Sequence, residues 1–151
     1  MTKLDTIKKI FEINYFQQLQ FTQIIIKKMM KSKNSSIINI LSNSAIDVHE
    51  GRLAYSASKS AMLQSTKILA KELGRFLIRV NGIAPGLTET NMMTNNHTEE
   101  VINEVKNQTF LKKIASVEDI ANTSLFLASD LSTHISGQII RVDGGLWISN
   151  V

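Results

Sequence analysis

"YSASKSAMLQSTKILAKELGRFLIRVNGIAPG", residues 55–86, decides the fold class. Residues 55–73 contain neither proline nor glycine, and they place apolar residues at helical intervals. Gly74 reads as the C′ residue that stops this helix. "IRVNGIA" (78–84) then reads as a buried strand, and the only proline in the chain, Pro85, ends it beside Gly86.

Outward from this stretch the same alternation continues. "IINIL" (37–41) is a short β-branched run between polar turns and fits a second parallel strand. Before it, residues 6–31 have helical periodicity. After Pro85, "PGLTETNMMTNN" (85–96) reads as a long loop, and "TEEVINEVKNQ" (98–108) as a short helix. Ser116 with Asp119 forms a capping-box pattern that opens the helix 117–129. "GQIIRV" (137–142) is the last strand, ended by "DGG" (143–145). Strands alternating with helices imply a parallel sheet with right-handed crossovers. In such sheets ligands bind at the carboxyl ends of the strands, which puts Ser42, Pro85–Gly86 and Asp143–Gly145 on one rim.

The 151 residues are enough for one domain, residues 1–151. Hydrophobic residues at 43% and charged residues at 20% are ordinary globular composition. Without cysteine there are no disulfides and no cysteine-ligated metals. His49, His97 and His134 are scattered outside any metal-binding spacing and read as surface or core histidines. The net charge of +4 comes partly from Lys27, Lys28, Lys31 and Lys33. A solvated helix end explains that cluster better than a nucleic-acid surface, because no aromatic residues interleave it. "MTKLDTIKKIFEINYF" (1–16) carries no secretory pattern, and "INYFQQLQFTQIII" (13–26) is too short and glutamine-rich to span a membrane. A cytoplasmic location is the expectation, with no nucleic-acid or membrane partner.

Tyr55 and Lys59 stand four apart and share a helix face, with Cβ atoms about 5–6 Å apart. A free tyrosine titrates near about 10 and is a poor proton carrier at neutral pH. A neighbouring ammonium stabilises the phenolate, as a tyrosine general acid–base needs. Ser42, at the end of the first strand, is placed to polarise a substrate carbonyl. Small residues around Tyr55 (Ser56, Ala57, Ser58, Ser60 and Ala61) allow close approach of a ligand or of another helix.

With Ser42 upstream, "YSASK" resembles the active site of the short-chain dehydrogenase/reductase family. "IRVNGIAPGLTETNM" is similar to the family's strand and proline–glycine loop under the nicotinamide. "EDIANTSLFLASD" and "SGQIIRVDGG" resemble its last helix and strand. The resemblance runs from Phe11 to Leu146 and implies a Rossmann-type doubly wound α/β fold, here truncated to about three strands. It implies Tyr55 as the acid–base residue, which also touches the cofactor, and Lys59 as the group that lowers its pKa and binds the nicotinamide ribose. Ser42 would hold the substrate oxygen, and Asn14 a water on a proton path from Lys59. Pro85, Gly86, Leu87 and Thr88 would line the nicotinamide, with Thr90 contacting its carboxamide or the pyrophosphate. The implied reaction interconverts an alcohol and a ketone or aldehyde by hydride transfer with NAD or NADP.

The chain departs from the family in one respect. Its glycines, at 51, 74, 82, 86, 137, 144 and 145, form no phosphate-binding loop. The residue that would choose between NAD and NADP is absent too, and a complete member would already be past its fourth strand at Met1. Two expectations follow: a catalytic portion of an oxidoreductase, or a non-catalytic remnant associating with full-length homologues. The family's oligomer contacts imply a homo-oligomer through helices 6–31 and 55–73. The segment from Leu87 to Lys112, with Met92, Met93 and Phe110, would form an apolar lid over a small carbonyl or alcohol substrate.

Overall fold

The computed structural model describes residues 2–32 and 34–146. Lys33 of the basic cluster and the Met92 side chain of the expected lid lie outside the described residues. The elements in chain order are α1 (Leu4–Phe11), a π-helical turn (Glu12–Phe16), α2 (Gln17–Met29), β1 (Ser36–Ile40), α3 (Leu53–Leu73), β2 (Arg79–Pro85), α4 (Asn91–Asn96), α5 (Glu99–Gln108), α6 (Val117–Ala128) and β3 (Ile139–Val142).

The three strands form one parallel sheet in the order β1-β2-β3. The central strand is buried through Ala84, with Val80, Ile83 and Ala84 wholly inside. Its alternate residues face opposite layers. On one face Ile37, Ile78 and Val80 pack with Leu73 of α3 and Ile26 of α2. Leu41 and Ala84 pack there with Met62 of α3 and Tyr15 of the π-turn. Also on this face, the Asn39 amide donates to Thr66 of α3 at 2.9 Å.

The opposite face is covered by α6, and its anchor is polar. Ser36 and Arg79, which alternate with the apolar positions, both donate to the Leu127 carbonyl at 2.9 Å. Arg79 is 8% exposed. Its guanidinium also reaches Ser132 Oγ at 3.0 Å and the Ser129 carbonyl at 3.3 Å. A cation at the carbonyl end of a helix answers both the unpaired acceptors and the helix dipole.

Four local expectations need correction. Helix 6–31 starts at Leu4, ends at Met29 and is interrupted by the π-turn. Gly74 is not a left-handed stop: its φ is −55°, and it begins a 3-10 turn that leaves through Leu77 at φ 58°. That exit turns Ile78, 1% exposed, into the core. The segment 85–96 is not all loop: the Thr90 hydroxyl accepts from Met93 N and starts α4. The last strand begins at Ile139, two residues later than expected, after Gly137 turns the chain at φ 77°. The Ser116–Asp119 capping box is present in both directions.

Candidate active site

The carboxyl ends of β1 and β2 and the first turn of α3 enclose a cavity of about 760 Å³. Ser42 and Tyr55 both line it, together with Pro85, Gly86, Leu87 and Thr88. Ser42 opens a tight turn, its hydroxyl oxygen accepting from Ser44 N at 3.2 Å. Its own proton stays uncommitted, as does the Tyr55 phenol, among the described residues. A second cavity, of about 640 Å³, lies beyond the Asp143–Gly145 turn. Among its polar groups, Arg141 is tied to Asp47 and Asp119 caps α6.

Lys59 lies one turn beyond Tyr55 on α3, its Nζ 5.9 Å from the centre of the tyrosine ring. The ammonium donates to the Ile40 carbonyl at 2.9 Å. Burial holds its pKa below the ordinary lysine value of 10.5, since desolvation disfavours the charged form. Lys59 stands behind Tyr55 and is not part of the cavity wall.

Asn14 also stands behind the wall. It sits inside the π-turn, whose extra residue per turn swings this side chain towards α3. Its amide donates to Ser58 Oγ at 3.1 Å, and Ser58 donates to the Tyr55 carbonyl at 2.8 Å. Asn14 is thereby joined to the helix turn that carries Tyr55. Thr90 borders the cavity, but its hydroxyl is engaged at both ends of a turn, with Met93 N and the Thr88 carbonyl. Gly86 is required by packing, because a Cβ there would lie 2.8 Å from Asp143 Cβ and 3.0 Å from its Cα.

Several residues of the site were not singled out in the sequence. Asn43 is 4% exposed and donates to Asp143 Oδ2 at 2.8 Å, which joins the Ser42 turn to the end of β3. Asp143 in turn accepts from Gly145 N at 3.0 Å. His49, Arg52 and His97 border the cavity around Tyr55. Arg52 is the N-cap of α3, three residues before Tyr55. His97 has no signal in the sequence, since only the folding of α4 brings it to the site.

Residues 1–147 match the family model described as enoyl-(acyl carrier protein) reductase. The 3-oxoacyl-(acyl-carrier-protein) reductase FabG of Thermotoga maritima is 37% identical over 139 residues, covering 92% of this chain and 56% of that protein. The 7alpha-hydroxysteroid dehydrogenase of Bacteroides fragilis is 35% identical over 147 residues, covering 97% and 57%. Among solved structures, a 7 alpha-hydroxysteroid dehydrogenase complexed with NADH and 7-oxo glycochenodeoxycholic acid superposes with a TM-score of 0.92 at 31% identity. That match covers 95% of this chain and 56% of the other. A short-chain type dehydrogenase/reductase from Mycobacterium ulcerans gives 0.91 at 30% identity, covering 95% and 53%. The chain spans about half the length of the relatives it matches. Its sheet order, its flanking helices and matches that extend over more than nine-tenths of its length make it a member of the short-chain dehydrogenase/reductase family.

Proposed function

We propose that the chain is the catalytic portion of an NAD(P)-dependent oxidoreductase that interconverts an alcohol and a ketone or aldehyde. The observation that carries this reading is the uncommitted Tyr55 phenol, facing a cavity shared with Ser42 and backed by a desolvated Lys59. The nicotinamide end of the cofactor fits the residues present: an open cavity bounded by Pro85–Thr88, with a lysine at its back. When bound, the nicotinamide supplies or accepts the hydride.

The chain's own residues handle the oxygen. In reduction, Tyr55 gives its proton to the carbonyl oxygen as that oxygen gains negative charge. The phenolate left behind is stabilised by the Lys59 ammonium. Ser42 donates a hydrogen bond to the same oxygen, which favours the charge-developing state over the ground state. In oxidation Tyr55 takes the hydroxyl proton instead. Asn14 acts through Ser58 on the helix turn that holds Tyr55 and is a positioning residue in this geometry.

The test is a titration of the chain with NADH and with NADPH, followed by cofactor fluorescence, with Lys59→Ala as the control. Saturable binding that the control weakens is the expected result. No binding by a chain shown to be folded by circular dichroism overturns the reading.

A second reading is favoured by the outer helix surfaces. Ile13, Phe16, Phe21 and Ile24 are each more than half exposed along the π-turn and α2, and Ile68 of α3 is 48% exposed. Such a surface suits helix-to-helix association with another copy or with a full-length homologue. Light scattering of the chain alone and mixed with a homologue separates a self-associating portion from a passive partner.

A further inference from the structure

The cavity walls carry an imbalance of charge that the acid–base machinery does not use. Arg52, His49 and His97 all border it, and no aspartate or glutamate does. The acids nearest in sequence are accounted for: Glu50 and Glu89 are exposed and outside the wall, and Asp47 is held by Arg141. Asp143 is turned to Asn43, Arg141 and Gly145 N. Among the described residues the Arg52 guanidinium has no ion-pair or hydrogen-bond partner.

The position of Arg52 gives this imbalance a direction. Arg52 is the N-cap of α3, three residues before Tyr55, with a non-helical φ of −106° and ψ of 22°. Lys59 lies one turn inward from the tyrosine, on the side of Ile40. Arg52 lies one turn outward, where the loop from Ser42 gives way to α3. A ligand whose oxygen meets Tyr55 therefore shares the cavity with an exposed cation at the start of α3, on the side away from Lys59. Beyond it the wall is apolar, with Met93, Val101, Val105 and Leu146.

We propose that this site takes an oxo- or hydroxy-carboxylate, with the carboxylate held by Arg52 and with His97 and His49 bordering the same space. The inference rests on the reading of Tyr55 as the residue that meets the substrate oxygen. An arginine fork matches a carboxylate with two parallel donors, so it discriminates an acid from its amide better than a diffuse positive field does.

The probes are 4-oxopentanoate, its amide 4-oxopentanamide, and acetate, each titrated by isothermal calorimetry into the chain without cofactor at 0.15 M salt. The expected result is that the oxo-acid binds about 5- to 20-fold more tightly than the amide, which lacks the charge-assisted contact, and more tightly than acetate, which lacks the carbonyl for Tyr55. Arg52→Gln brings acid and amide to the same affinity, and Arg52→Glu reverses their order. Arg52 makes no side-chain cap on α3, so these variants are expected to fold, and circular dichroism checks this. Equal affinity for acid and amide in the unmodified chain overturns the proposal, as does binding of neither. Acetate as tight as the oxo-acid means an adventitious anion and overturns it too. The cofactor titration on the same samples keeps the two readings apart: acid selectivity without NADH binding removes the oxidoreductase reading alone, whereas NADH binding without acid selectivity removes this one alone.

Discussion

Arg141 grips Asp47 with both arms of its guanidinium, at 2.7 Å each, across a sequence separation of 94 residues. The pair joins the end of β3 to the turn that begins at Ser42. Within that turn Asp47 N donates to the Asn43 carbonyl at 2.8 Å, while the Asn43 side chain is held by Asp143. The turn carrying Ser42 is thus fixed by two long-range contacts on its far side.

Arg141→Ala is expected to destabilise the chain by about 1–3 kcal/mol, since it leaves Asp47 and Asp143 facing each other without a cation. A double-mutant cycle with Asp47→Asn, measured by urea unfolding, should show a coupling of about 1 kcal/mol or more. Additive effects would mean that the pair closes the turn without contributing to its stability.

Arg79 is a different case, because its partners are carbonyls and a hydroxyl. Arg79→Met should cost about 1–3 kcal/mol by removing the charge-assisted bonds to the Leu127 and Ser129 carbonyls beneath α6, although each carbonyl keeps a hydroxyl donor from Ser36 or Ser132. Arg79→Lys should recover only part of this, because a point charge cannot reach three acceptors in a plane. Urea midpoints for the two variants decide it, and equal losses would refute the role of the fork.

Gly82 and Gly86 are expected to rank in an order that burial alone would not give. A Cβ at Gly82 meets the side-chain ends of Leu41 and Ile139, at 2.6 and 2.7 Å, whereas one at Gly86 meets Asp143 Cβ and its backbone. Side-chain ends yield more easily than backbone. Gly86→Ala should therefore be the costlier change although Gly82 is the more buried, with overpacking of about 1–3 kcal/mol as the scale. Thermal melts of both variants test the order.

Lys59 makes stability depend on pH in a definite direction. Burial lowers its folded pKa below 10.5, so between the two values the unfolded chain binds more protons than the folded one. Stability from this group therefore rises with pH across that interval. The penalty on the ammonium is fully present below the folded value and gone above 10.5. Relative to Lys59→Met, the unmodified chain should gain stability as pH rises from 7 towards 10.5. Urea unfolding of both at several pH values measures the difference, and a flat difference would contradict a desolvated lysine.

Tyr55→Phe should lower kcat on any ketone the chain reduces by about 10²- to 10⁴-fold, the usual contribution of a positioned proton donor. NADH affinity should be unchanged, because only the hydroxyl is removed. A parallel fall in affinity would mean that the phenol binds cofactor and is not confined to proton transfer.

Much of this architecture is legible in residues 55–86, because a helix, a buried strand and a terminating proline each leave a strong periodic mark. "IINIL" and "IRVNGIA" were placed within one residue of β1 and β2 for the same reason. The capping box at Ser116 is local chemistry and could be read directly. The π-turn could not, because a wider turn leaves the apolar spacing on both sides compatible with one continuous helix. Nor could α4, whose single turn after Thr90 is too short for periodicity and depends on one capping hydroxyl. Around the site, spacing puts Tyr55 and Lys59 on one helix face, and the resemblance of "YSASK" to a family motif is what singles them out. Asp143 was placed on the rim by the strand order, whereas Asn43 and His97 are brought there only by contacts that no short stretch of sequence contains.

The bond from Lys59 to the Ile40 carbonyl has a consequence for how the sheet ends. Leu41 N donates to Ile83, so Ile40, its neighbour in the strand, points its own carbonyl away from β2 towards the open side of β1. Among the described residues Lys59 occupies that outward acceptor, so one side chain is tied both to the last residue of β1 and to the face of α3 that carries Tyr55.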